Sequence, residues 1–169
     1  MRNKMKKVIL MALLFVPMSI FAQKFGHFDS SAIIQLMPEY TTAQNEIQQL
    51  QTQYENDLKR MQDELQKKSE EYDKEKANLL DNVRQRREAE LQDLYTRIQQ
   101  SYQDNQKSLQ ETSQQKMQAI SEKMLGVIKQ IGQEGGYVYI MDISAGIPYI
   151  STTLSTDVTA EIKQKLGLK

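Results

Sequence analysis

The chain has 169 residues, 22 Lys plus Arg against 22 Asp plus Glu, one His, no Trp and no Cys. Disulfide scaffolds, thiolate metal sites and cysteine nucleophiles are thereby excluded. The formal charge of zero belongs to the whole sequence only: residues 1–22 hold four positive charges and no negative ones, so Gln23–Lys169 keeps 18 basic and 22 acidic groups, net −4. A net acidic chain is a poor match for nucleic acid through bulk charge, and no nucleic-acid partner is expected.

The first segment, residues 1–22, reads as a signal peptide. Arg2, Lys4, Lys6 and Lys7 make a cationic head, Val8 to Phe21 is apolar apart from Pro17 and Ser19, and Ala22 closes it. The apolar stretch is shorter than the roughly 20 residues a spanning helix needs. Export, with cleavage near Ala22, is the expectation, and no Cys follows to take a lipid.

From Lys24 to Asp29 the sequence reads as a short strand weighted by Phe25 and Phe28. Ser30 or Ser31 is expected to cap a short helix through Leu36, before Pro38 resets the chain. Between Pro38 and Gly126 there is neither Gly nor Pro for 87 residues. The stretch is rich in Gln, Glu, Lys, Leu, Met and Arg, which lose little side-chain entropy in a helix.

Its apolar residues recur at three, four or seven, with an eleven-residue step from Leu109 to Ile120. Ile47, Leu50, Tyr54, Leu58, Met61, Leu65, Tyr72, Leu79 and Val83 form one run. Leu91, Tyr95, Ile98, Tyr102, Leu109, Ile120, Met124, Val127 and Ile131 form a second, and this spacing is that of a coiled-coil seam. Glu55–Lys59, Asp63–Lys67, Glu64–Lys68 and Glu70–Lys74 are spaced for helical ion pairs of about 0.2–0.5 kcal/mol each. The seam lapses over Arg84–Glu90, so a bend is expected within Asn78–Glu90, with Asp81 and Asn82 as turn formers. An antiparallel hairpin over 38–132 is favoured over one continuous rod of about 140 Å.

Gly132, Gly135 and Gly136 stop the helix. Tyr137–Ile143 reads as a strand, Gly146 with Pro148 as a turn into Tyr149–Thr153, and Asp157 or Thr159 as the cap of a last helix bearing Val158, Ile162 and Leu166. Residues 23–37 and 133–169 are too few to bury a comfortable core alone, and sharing one between chains solves the problem. The fold class is α+β: a long helical hairpin arm on a small β-containing body, with Phe28, Val138, Ile140 and Ile162 expected in that body.

Little here suggests catalysis. His27 stands alone in a strand, no GxSxG elbow occurs, and the glycines match neither a P-loop nor a dinucleotide turn. No enzyme activity, cofactor or metal is expected. Shape and surface remain. Tyr54, Met61, Tyr72, Tyr95, Tyr102 and Met117 either fill the seam or meet apolar partners, a use to which adaptable Met and amphipathic Tyr are suited. Arg84, Arg86 and Arg87 are candidate contacts for an anionic surface.

The stretch Lys24-Phe25-Gly26-His27-Phe28-Asp29-Ser30, continuing through Ile33-Ile34-Gln35-Leu36-Met37-Pro38-Glu39-Tyr40, resembles the opening of the Skp/OmpH family of periplasmic chaperones. The ending is similar too, in Tyr137–Asp142, Ile147-Pro148-Tyr149 and Asp157-Val158-Thr159-Ala160-Glu161-Ile162. The resemblance implies a jellyfish-shaped homotrimer in the periplasm, whose arms enclose a cavity for unfolded outer-membrane proteins and prevent their aggregation without ATP. It also implies contact with lipopolysaccharide or anionic lipid, laid loosely on Arg86 and Arg87. Members of that family are described as strongly basic, whereas this chain after residue 22 is net −4, so capture would lean on apolar contact and confinement. The alternative is a coiled-coil scaffold or spacer of the cell envelope.

Overall fold

A computed structural model describes residues 23–168; the segment read as a signal peptide lies outside the described residues. Strand β1 (Lys24–Phe28) leads into helix α1 (Ser30–Ile34), then α2 (Pro38–Glu75), a 3-10 turn at Lys76–Asn78 and the long α3 (Asp81–Gly135). Strand β2 (Tyr137–Asp142), a second 3-10 turn at Ile143–Ala145, β3 (Ser155–Asp157) and helix α4 (Thr159–Lys165) complete the chain.

The helical hairpin is inserted between two strands of one sheet. The order is β2-β1-β3, all parallel, with Phe25 opposite Tyr139 and Ser155, and His27 opposite Met141 and Asp157. Parallel neighbours need a crossover; here the crossover from β1 to β2 is the arm itself, so the sheet fixes both of its roots. At 1.5 Å per residue α2 is about 57 Å long and α3 about 82 Å.

Local chemistry explains the element ends. Asp29, not Ser30 or Ser31, caps α1, its side chain accepting from the Ala32 N–H at 3.1 Å. Ser30 is taken up elsewhere: its hydroxyl meets that of Ser144 at 2.7 Å and its N–H donates to Asp142 Oδ1 at 3.2 Å. Pro38 opens α2 at a position that needs no N–H donor. Gly136, at φ +65°, ends α3 in the left-handed conformation and donates its N–H to Gly132 O.

The reversal lies at Lys76–Leu80, so it overlaps only the start of the expected window. Leu79 and Leu80 are the extended residues that turn the chain. Asp81 and Asn82 are not turn residues but open α3, where Asp81 suits the positive helix end and pairs with Arg84 at 2.5 Å. Arg84–Glu90 are helical with Ala89 as their one apolar residue, and polar bonds cross the seam there: Lys68 pairs with Glu90 at 2.7 Å and Tyr72 donates to Glu88.

The main core lies where arm and sheet meet. Phe28, Ile33, Met37, Ala43, Val158 and Ile162 pack with Ile120, Met124, Ile128 and Ile131 of α3 in one buried cluster. This core reaches past residue 133 into the arm base, making the body larger than the flanking segments alone. Tyr149–Thr153 is irregular, and the last strand begins only at Ser155. Asp157 Oδ1 accepts from the Thr159 N–H at 2.8 Å at the start of α4, while Thr159 Oγ1 accepts from the Asp29 N–H at 3.1 Å.

Candidate functional site

Antiparallel pairing of α2 and α3 fixes which side chains reach the surface. Glu39 pairs with Lys123, Glu46 with Lys116, Tyr54 Oη with Ser108 Oγ at 2.9 Å, and Lys68 with Glu90, a nearly constant register from base to tip. Ile47, Leu50, Tyr54, Leu58, Met61, Leu65 and Tyr72 are half-buried along α2, as their spacing requires.

On α3 the expected seam holds at Leu91, Ile98, Leu109, Ile120, Met124, Val127 and Ile131, all buried or half-buried, but not at its two tyrosines. Leu94 and Ile98 are buried, but Tyr95 and Tyr102 are 50% and 55% exposed. From Ile98 the inward stripe steps to Ser101, Asn105, Ser108 and Thr112, all half-buried. Tyr95 and Tyr102 each lie one residue, about 100°, round the helix from these inward positions. Following hydrophobicity rather than phase therefore places them wrongly in the seam.

The six aromatic and methionine candidates thus separate. Tyr54, Met61 and Tyr72 are half-buried between the helices, and Met117 packs against the core cluster. Only Tyr95 and Tyr102 stand out from the arm. The arginines do not form one patch: Arg84 pairs with Asp81, Arg87 is half-buried, and Arg86 is exposed. Of the expected i, i+4 ion pairs, the structure holds Glu64–Lys68 at 3.9 Å; Arg60–Asp57 and Lys76–Asp73 form at i, i+3 instead.

In the body, Phe28 and Ile162 are buried within the chain and Ile140 is half-buried against the core, whereas Val138 is 57% exposed. Tyr139, Met141, Ile143, Tyr149 and Leu154 are exposed too, Tyr149 and Leu154 at 80% and 75%. Tyr139 stacks at 4.7 Å on Phe25 on the outer sheet face, and Met141 lies level with His27. Those positions were missed from sequence, although the run Tyr137–Met141 has no polar alternate residue, as expected of a strand covered on both faces.

His27 is half-buried, its Nδ1 2.9 Å from Ser155 Oγ. Among the described residues no group of three or more His, Asp or Glu could hold a metal ion. Burial raises the Asp142 carboxyl, but hydrogen bonds from Ser30 and Ser144 outweigh it and leave the group below its ordinary value. Asp157 behaves likewise, with burial opposed by Thr159 and by the His27 and Lys163 charges. Both carboxylates are structural, tying strand ends to helix starts.

The family model described as outer membrane protein (OmpH-like) matches residues 24–166. No curated protein sequence matches the chain. Among solved structures, a putative OmpH-like outer membrane chaperone from Caulobacter crescentus CB15 is 17% identical, with a TM-score of 0.71 over 85% of this chain and 83% of that one. At that identity the likeness speaks for the fold: long packed helices on a small sheet. The family match spans nearly all of the described residues, and the chain belongs to the OmpH-like, or Skp/OmpH, family of non-enzymatic periplasmic chaperones.

Proposed function

We propose that the protein is an ATP-independent holdase: three copies join through their bodies, and their arms enclose a cavity that keeps unfolded outer-membrane proteins apart until they insert. The observation that carries this reading is the unequal finish of the two parts. The arm is a long rod with its own seam, while the body leaves Val138, Tyr139, Met141, Ile143, Tyr149 and Leu154 exposed around the sheet. Apolar side chains left exposed in this number mark an interface, and β2 and β3 also leave open edges that another chain can cover.

On this reading Val138 and Tyr149 meet neighbouring subunits, and Phe28, Ile140 and Ile162 hold the body in the shape that presents them. Clients are retained by many weak contacts along the arms, from Tyr95 and Tyr102 and, when the helices splay, from Tyr54, Met61, Tyr72 and Met117. Any contact with anionic lipid or lipopolysaccharide falls to Arg86 with Arg87, since Arg84 is paired. No residue performs a chemical step.

The test is aggregation of several unrelated unfolded β-barrel proteins on dilution from denaturant, followed by light scattering. A holdase suppresses all of them near one trimer per client, without nucleotide. Suppression of none, with tight binding to one folded envelope partner instead, overturns the reading in favour of a scaffold.

A further inference from the structure

The two flanks of the arm are chemically unlike. Every ion pair that crosses from α2 to α3 lies on one flank: Glu39–Lys123, Glu46–Lys116 and Lys68–Glu90. Asp57, Arg60, Glu64 and Arg97 project on that same side by helical phase. On the opposite flank a groove lined by Leu65, Leu91, Gln62, Gln92 and Tyr95 is followed, toward the base, by a groove lined by Tyr54, Leu58, Tyr102, Gln106 and Leu109. Tyr95 and Tyr102 are one heptad apart, about 10 Å along the axis, and form exposed ridges over these grooves.

We infer that the tyrosine–glutamine flank is the client face of the arm, turned toward the cavity, and that it takes an extended, uncharged segment of alternating apolar residues such as a barrel strand before insertion. The inference rests on the holdase reading and adds which side of the arm does the holding. The charge distribution selects the occupant. Covering ionised groups with an apolar chain costs their hydration, so the ion-paired flank is a poor seat for it. The tyrosine flank is largely uncharged, with Glu55 at one edge of the second groove and Glu70 and Glu88 at the tip end of the first.

Its amides complete the match. An unfolded chain carries main-chain N–H and C=O groups that need partners once water is displaced. Each glutamine offers both a donor and an acceptor, and Gln51, Gln62, Gln66, Gln92 and Gln106 line the two grooves between the aromatic ridges. Tyrosine supplies apolar area with a polar tip. Such a face holds many sequences weakly, with no register to satisfy.

Photo-crosslinking of the purified protein tests this. p-Benzoylphenylalanine is placed at positions 95 and 102, and on the other flank at 97 and 104, all exposed helix positions whose replacement leaves the seam intact. Each variant is loaded with an unfolded β-barrel protein, and light scattering on the same samples reports holding independently. The expected result is several-fold more client adduct at 95 and 102 than at 97 and 104, with holding preserved in all four. Equal adducts on both flanks with holding preserved overturn the client-face assignment and leave the holdase reading standing. Adducts at 95 and 102 with a second copy of this chain, undiminished by client, also overturn it by making the flank an arm–arm contact. Loss of holding in the unmodified protein removes both. As a second readout, Tyr95→Lys combined with Tyr102→Lys is expected to weaken client retention several-fold, and Arg97→Gln combined with Asp104→Asn to leave it unchanged.

Discussion

The base of the arm and its middle share one pair of helices but are held by different chemistry. At the base Ile120, Met124, Ile128 and Ile131 of α3 are buried against Ile33, Met37, Val158 and Ile162. In the middle no residue between Ile98 and Ile120 is buried, and Ser101, Asn105, Ser108 and Thr112 face the apolar stripe of α2. Beyond it Leu94 and Ile98 are buried again. The difference teaches that helix propensity and register do not require a continuous apolar seam. Each residue of the polar stretch forgoes burial worth roughly 25 cal/mol per Å², leaving the middle less stable than the base.

Substitutions at the base break this contrast most sharply. Ile131→Ala, at a position 1% exposed, is expected to cost about 2–5 kcal/mol, as large core truncations do. Ile162→Ala should match it. Both are measured by urea denaturation, and either loss is a large fraction of the stability of an ordinary domain. Asn105→Leu in the middle should act the other way, stabilising the arm by about 1 kcal/mol. In hydrogen exchange, amides 101–116 are expected to exchange faster than 120–131 in the native protein, and Asn105→Leu to narrow the gap. Tyr54→Phe removes only the bond to Ser108 and should cost about 0.5–1 kcal/mol.

Acid weakens the body through two aspartates. Because Asp142 and Asp157 have folded-state values below their ordinary ones, their contribution is present above the unfolded value near 4 and is lost as the pH falls through the lowered folded value. Asp142→Asn should flatten that acid loss in a pH series of melts. Smallest of all is the effect of Lys116→Ala: the pair with Glu46 is half exposed, and its loss should cost under about 1 kcal/mol and fade with added salt.

Much of this architecture was legible because it is periodic or punctuated. The strand at Lys24–Phe28, Pro38 as the start of the arm, the α2 seam from Ile47 to Tyr72, and Gly136 as the end of α3 all follow from local rules, whereas Gly132 and Gly135, expected to stop the helix too, lie within it. The α3 seam was legible at Leu91, Ile98, Leu109, Ile120, Met124, Val127 and Ile131 but not in between, since a serine or asparagine facing inward has no hydropathy signature, and two tyrosines one residue out of phase offered a more apolar alternative. The reversal at Leu79–Leu80 falls inside the expected window Asn78–Glu90 but uses other residues than expected: neither leucine favours a turn, while Asp81 and Asn82 do, and Asp81 serves equally well at a helix start. Tyr139, Met141, Tyr149 and Leu154 escaped notice because exposure of apolar residues depends on the whole sheet, not on any local pattern. Tyr95 and Tyr102 were singled out from sequence, but only the register shows that they share a flank free of cross-arm ion pairs.

Native mass spectrometry of the protein, alone and with one unfolded β-barrel protein, bears most directly on whether a shared cavity holds the client. Three chains are expected without client, and three chains plus one client with it. A monomer that binds no client, or a client bound by a single chain whose body remains exposed, would contradict it.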